Sequence, residues 1–381
     1  MITVLLILLG LYLCCIWILM LGFSRIPVFH PKKVVPVTRF SIIIPCRDEQ
    51  ENLPALLRSL LKLDYPSDFY EVLFINDGSV DASETIIKRV LETSGIPIKL
   101  FQNKRISNSP KKDAISQGIA HSQFEWMITT DADCEFSKDW LKTLDAYIQN
   151  ESKKKNQCEP KMICGPVLYT SDNSFLQLFQ QLDAFSLQGV TVGSFGLHRP
   201  MLGNGANLTY RKDAFYAVNG FDGNNHIASG DDIFLLEKMW DKFPENIKFL
   251  KSPGAIVSTK PQPTWQALIN QRTRWASKTS QQKNPFSLSL GILVVVANLA
   301  FLLVPVAMLL HFQDLLVYLF LLLLKILSDY FLIRQSANFF GRDIPIWKFP
   351  AFPVAYSVVV IIVFFKAWGG RYTWKGRAFS K

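Results

Sequence analysis

The sequence predicts an α/β domain on a mostly parallel sheet, held between an apolar N-terminal helix and an apolar C-terminal bundle. Three observations carry that expectation. Met1–Ser24 and Asn284–Gln313 contain no Asp, Glu, Lys or Arg, and each is long enough to cross a hydrocarbon core. Between Arg39 and Lys283, short β-rich runs alternate with leucines and isoleucines at helical spacing, the pattern of a parallel sheet with helical crossovers. The polar and acidic clusters of that region follow the β-rich runs, where an open parallel sheet binds its ligands.

The anchor is expected at 1–24, a basic linker at 25–39, the globular domain at 40–283 with an interfacial helix near 262–280, and a membrane region at 284–381. Its apolar segments lie at about 286–310, 315–333 and 349–365. A cleaved signal peptide fits the N-terminus less well, because a basic n-region and a small-residue cleavage site are both missing. Arg25, Lys32, Lys33 and Arg39 after the first span place the globular domain in the cytosol. Lys366, Arg371, Lys375, Arg377 and Lys381 argue for a cytosolic tail as well, although three full crossings would put it outside. Pro350 and Pro353 resolve this if they break the last segment into a re-entrant or interfacial one.

Six cysteines show neither zinc-ligand nor disulfide-framework spacing, which suits a reduced compartment. The net charge of +10 does not require nucleic acid, since the basic residues cluster beside apolar spans where anionic lipid attracts them. Nucleic acid is therefore not an expected partner, and membrane lipids are.

Within the globular region, Phe40–Pro45 is the first strand, followed by a helix carrying Leu53, Leu56, Leu57, Leu60 and Leu61 with Pro54 in its first turn. Val72–Ile75 is next, then a helix with Ile86, Ile87, Val90 and Leu91, then Ile98–Phe101, a helix near 111–120, and Trp126–Thr130. After these strands come Cys46-Arg47-Asp48-Glu49, Asn76-Asp77-Gly78-Ser79 and Asp131-Ala132-Asp133. Carboxylates converging on one rim repel each other unless a cation joins them, and a divalent metal with a phosphate ligand meets that need. P-loop and G-x-G-x-x-G patterns are absent, against an ATPase or a dehydrogenase.

Ser41-Ile42-Ile43-Ile44-Pro45 with Asp48-Glu49, then Asn76-Asp77-Gly78-Ser79 with Asp81, Asp131-Ala132-Asp133, Gly230-Asp231-Asp232 and Gln271-Arg272-Thr273-Arg274-Trp275 resemble, in order, the signatures of glycosyltransferase family 2. The likeness covers about residues 40–280 and is closest to the membrane-anchored bacterial type with a Q-x-x-R-W motif. It implies the GT-A fold, a Rossmann-like mostly parallel sheet. It also implies a nucleotide-sugar donor of UDP type, a lipid or glycan acceptor, a multi-pass bacterial cytoplasmic membrane location and Mg²⁺ or Mn²⁺ as cofactor.

The residue roles follow from the same resemblance. Pro45, Arg47, Glu49, Asp77, Lys111 and Asp131 bind the donor, with Asp77 on the nucleobase, and Asp133 takes the metal. Asp232 is the catalytic base, Arg274 stabilises the leaving diphosphate, and Asp231, Gln271 and Trp275 lie on the acceptor or leaving-group side. Each has a plainer reading. Asp77 is also a good turn residue that caps the next helix, and Lys111 an ordinary surface lysine. Asp231 and Asp232 suit a first helical turn with Ser229 as N-cap. Trp265, Leu268, Ile269 and Trp275 also fit the apolar stripe of an interfacial helix. The expected chemistry is inversion at the anomeric carbon. The rivals are a processive polysaccharide synthase and a non-catalytic membrane transporter or scaffold with a nucleotide-binding domain. Lys325 and Asp329, one turn apart in an apolar span, are expected to line an inter-helix cleft that admits the acceptor lipid.

Overall fold

The computed structural model describes residues 2–154, 158–170, 174–225, 227, 229–279, 281–282, 284–369, 371–374 and 377–380. The chain begins with α1 (Ile2–Arg25), β1 (Phe40–Cys46), α2 (Leu53–Leu61), β2 (Tyr70–Asn76), α3 (Ser83–Thr93) and β3 (Ile98–Gln102). It continues through α4 (Pro110–His121), β4 (Trp126–Thr129), β5 (Cys134–Phe136), α5 (Trp140–Ser152), β6 (Met162–Cys164) and β7 (Val167–Tyr169). Next come α6 (Phe175–Gly196), β8 (Leu208–Arg211), α7 (Lys212–Ala217), α8 (Asp231–Lys242), β9 (Ile247–Phe249), β10 (Val257–Thr259) and α9 (Trp265–Thr279). The last elements are α10 (Pro285–Leu310), α11 (Leu315–Phe339), α12 (Ala351–Trp368), β11 (Arg371–Trp374) and β12 (Arg377–Ser380).

These elements form two compact units. Pro27–Leu168 and Leu202–Lys260 make the α/β unit, whose seven-stranded sheet has the order β3-β2-β1-β4-β8-β6-β9. β1 pairs in parallel with β2 and β4, and β2 with β3, as the alternation predicts. β8 is the exception, antiparallel to both β4 and β6. Side-chain alternation in β1 divides the packing. Phe40, Ile42 and Ile44 join Leu53, Leu56, Leu60, Trp140 and Leu144 in one core. Ile43 faces α4, where a Cβ on Gly118 would stand 2.5 Å from its Cγ2, so only glycine lets the helix lie this close. Leu61, placed on the apolar face by spacing, is 47% exposed, because the buried stripe of α2 ends at Leu60.

The other unit contains α1, α6 and α9 to the C-terminus. α1, α10, α11 and α12 are long and apolar enough to cross a membrane. α1 and α11 run parallel, since Trp17 Nε1 donates to Ser328 Oγ and Gln335 Nε2 to Ser24 Oγ. α6 crosses α1 through glycines: Cβ atoms on Gly22, Gly193 or Gly196 would collide with the facing backbone.

Two expectations fail in this unit. Pro350 and Pro353 do not break the last apolar segment: Pro350 is the N-cap of α12 and Pro353 lies in its first turn, where no helical hydrogen bond is lost. Lys325 does not face an open cleft either. It is 1% exposed, 2.8 Å from Asp329 and over the rings of Tyr12 and Phe301, while the Tyr12 hydroxyl donates to Asp329 at 2.7 Å. The low dielectric makes an unpaired charge so costly that the network closes on itself.

Candidate active site

The carboxyl ends of β1 and β2 build one cluster. Asn76 closes a turn by accepting from Ser79 N and Oγ at 3.1 and 2.6 Å, and Gly78, at φ 66°, supplies the left-handed step. Asp77 is thereby held at the rim, 7% exposed. Its Oδ1 accepts from Arg105 Nε at 2.5 Å and Asn103 Nδ2 at 2.8 Å, and Arg47 Nη1 lies 3.4 Å from Oδ2. It does not cap the following helix: α3 has Ala82 at its N-cap, and Asp81 accepts from Ser83 N. Asn103 Oδ1 is buried with no hydrogen-bond partner among the described residues. Pro45 is half-buried in β1 opposite Ile75. Glu49 shapes the loop, its N–H donating to Ser83 Oγ at 2.8 Å and its Oε2 accepting from Asn52 Nδ2 at 2.6 Å.

A second cluster joins β4, α4 and α8. Lys111 Nζ lies 2.7 Å from Asp131 Oδ1 and 3.1 Å from Asp231 Oδ2. Burial favours its neutral form, but Asp131, Asp231 and Asp232 outweigh this and raise its pKa above the ordinary lysine value. Lys111 is thus the cation that lets Asp131 and Asp231 share one rim. Lys112, 1% exposed, donates to the carbonyls of Asn224 and Ile227 and fastens the loop leading into α8.

That loop ends at Gly230, φ 88°, which is the N-cap of α8 in place of Ser229; the left-handed turn aims Asp231 and Asp232 at the rim. Asp231 is buried and Asp232 half-buried. Gly205 N–H donates to Asp232 Oδ2 at 3.3 Å, and a Cβ on Gly205 would stand 2.8 Å from Asp231 Oδ2 and 3.3 Å from Lys111 Nζ. Asp133 is half-buried beside Cys134, whose thiol is pushed up by burial and by Asp133 and Asp131.

Gln271, Arg274 and Trp275 lie on α9, in the other unit. The buried arginine of this stretch is Arg272, not Arg274. Its Nε reaches Asp183 Oδ2 on α6 at 2.7 Å, its Nη1 donates to Gln271 Oε1 at 2.7 Å, and its guanidinium lies 4.1 Å from the Trp275 ring centroid. Leu268 is fully buried, and Trp265 packs on Phe179.

The family model described as "Glycosyl transferase family 2" matches residues 41–191, and that described as "Glycosyl transferase family group 2" matches residues 126–368. The chain belongs to glycosyltransferase family 2. The chain is 25% identical over 247 residues to a β-monoglucosyldiacylglycerol synthase of Synechocystis sp., covering 64% of this chain and 48% of that one. It is 27% identical over 243 residues to a poly-β-1,6-N-acetyl-D-glucosamine synthase of Staphylococcus epidermidis, covering 63% and 54%. The chain spans about half the length of the curated relatives it matches. Among solved structures, a mannosyltransferase from Pyrobaculum calidifontis in complex with GDP-Man and Mn²⁺ shares the fold. It has a TM-score of 0.55 and 17% identity, and the match covers 89% of this chain and 97% of that one. The α/β unit is accordingly GT-A-like.

Arg105, Asn103, Gly205 and Lys112 escaped the sequence reading. The first two lie in a segment without periodicity, and Lys112 is hidden beside Lys111. The signal for Gly205 is Gly203-Asn204-Gly205, two glycines around a capping asparagine. No group of three His, Cys, Asp or Glu close enough to hold a metal exists among the described residues.

Proposed function

We propose that this chain is an inverting, metal-dependent glycosyltransferase that moves a sugar from a UDP-type nucleotide-sugar to a lipid or membrane-bound glycan acceptor. The observation that carries the reading is the cluster of Lys111, Asp131, Asp231 and Asp232 at the strand ends. Asp231 is buried against a lysine, which leaves the half-buried Asp232 as the carboxylate able to take a proton from an acceptor hydroxyl. Gly205 N–H orients it. Asp77, Arg47 and Arg105 bind the nucleoside, and the leftover acceptor Asn103 Oδ1 suits the imide N–H of uracil. Asp133, with Asp131 beside it, would hold the divalent ion. When bound, that ion neutralises the charge gathering on the departing diphosphate. Arg274 is assigned to the same diphosphate, and Gln271 and Trp275 to the acceptor side.

A lipid acceptor is supported by the four helices of membrane-spanning length and by the diacylglycerol-linked activity in the name of the Synechocystis relative. The basic residues after α1 support a membrane location with the α/β unit cytosolic. The Staphylococcus relative favours a second reading, a processive synthase, and product length from labelled donor separates the two. For the main reading, Asp232→Asn should lower transfer by about a hundredfold or more with donor affinity little changed. Asp133→Asn should weaken metal-dependent donor binding instead. Identical behaviour of the two variants refutes the assignment.

A further inference from the structure

At the end of α11 and in the loop that follows it, Leu327, Tyr330, Phe331, Arg334, Asp343 and Ile346 line a groove of about 360 Å³. Its geometry is set locally. Leu327, Tyr330, Phe331 and Arg334 follow helical spacing and share one face of α11. The Tyr330 hydroxyl donates to the Ile344 carbonyl at 3.2 Å and staples the loop to that face. The floor is apolar and continuous with a helix of membrane-spanning length, and the polar groups stand at its end.

We infer that this groove binds the phosphate headgroup of an anionic membrane lipid. Three arguments select that occupant. The first is charge: residues 334–348 contain Arg334, Arg342 and Lys348 against one carboxylate, Asp343. Arg334 is exposed, lies over the Tyr330 ring at 5.9 Å, and has no ion-pair partner among the described residues. A phosphate supplies the missing charge in a form that a guanidinium binds well. The second is amphipathicity. Ile346 and Trp347 are 59% and 72% exposed beside Lys348, which lies 5.1 Å from the Trp347 ring centroid; aromatic and basic residues at the end of an apolar helix mark the headgroup level of a bilayer. The third is shape. Acyl chains continue along Leu327 and Phe331 where a free anion has nothing to fill, and Asp343 accepts from a headgroup hydroxyl such as those of phosphatidylglycerol.

The test uses the full chain in dodecyl maltoside micelles, with a fluorescent phosphatidylglycerol displaced by unlabelled phosphatidylglycerol, phosphatidylcholine or inorganic phosphate. Phosphatidylglycerol should bind at least about tenfold more tightly than phosphatidylcholine, and millimolar phosphate should not displace it. Arg334→Gln should lower its affinity about fivefold, the worth of one basic residue at a bilayer surface, while Arg334→Lys keeps most of it. Ile346→Glu, at a position that is 59% exposed, should give a comparable loss by placing a like charge in the groove. Donor hydrolysis should be unchanged in all three variants. Equal binding of the two lipids, displacement by phosphate alone, or an unaltered preference in both Arg334→Gln and Ile346→Glu overturns the inference.

Discussion

At the scale of single residues, the sequence singled out the acids of the candidate site but not what holds them. Asp131, Asp231 and Asp232 stood out because acids after strands and before helices are visible as strings. That Lys111 stands between two of them depends on α4 and α8 meeting at the strand ends, which no local pattern encodes. Gly205 is the clearest case of a residue of the candidate site defined by absence. Gly205→Ala should put a methyl group against Asp231 and Lys111, so kcat/KM should fall about a hundredfold while the melting temperature moves little. A circular-dichroism melt beside the assay distinguishes this from simple unfolding. Lys251 makes a different prediction. Its side chain is buried, and burial pushes its pKa down to about 8, so its charged form is disfavoured in the folded chain. Both folded and unfolded chains carry that charge below pH 8, and the cost is fully present there. It fades as pH rises from about 8 towards the unfolded lysine value. The melting temperature of the native chain should therefore rise relative to that of Lys251→Met between pH 8 and 10.5. A native chain that falls behind the variant over that range contradicts this.

At the scale of elements, hydrophobic periodicity located the helices and strands of the α/β unit because each buries one face. Antiparallel β8 was not foreseeable, since strand direction is set by the route of the chain and not by the residues in the strand. In the other unit, α6 carries Gln177, Gln180, Gln181 and Asp183 and gives no sign of being the partner of the apolar α1; only its glycines meeting Gly22 make that contact possible. The ion pair in α11 was legible as a pair, but its surroundings were not. Because Lys325, Asp329 and Tyr12 satisfy one another, Lys325→Met alone should leave a buried carboxylate and cost about 3 kcal/mol or more. The double change Lys325→Met with Asp329→Leu should recover most of it. Thermal melts of the three proteins check this, and a double variant no more stable than the single one contradicts it.

At the scale of the whole chain, contacts within the helical unit bear on the side of the C-terminus. α9 carries Arg272, Arg274 and Lys278 and leads into α10 after only residues 280–284. α12 lies along it: Phe179 touches both Trp265 and Phe352 at their starts, and β11, just after α12, packs against α9 again. Both ends of α12 are thus tied to the polar helix that precedes α10. We propose that α12 does not cross the bilayer and that the tail shares the side of Arg25, although Lys375 and Lys381 lie outside the described residues. A reporter fused after Lys381 should be active only in the cytosol; activity only outside refutes it. The sequence by itself determined the family, the alternation of strand and helix, and the acids at the strand ends, because these are written in local order and spacing. Tertiary structure alone decided which cation joins those acids, how α6 meets α1, that Lys325 is sealed, and that α12 follows α9. Each of these is a meeting of segments far apart in the chain, fixed by packing and charge compensation and not by any residue's immediate neighbours.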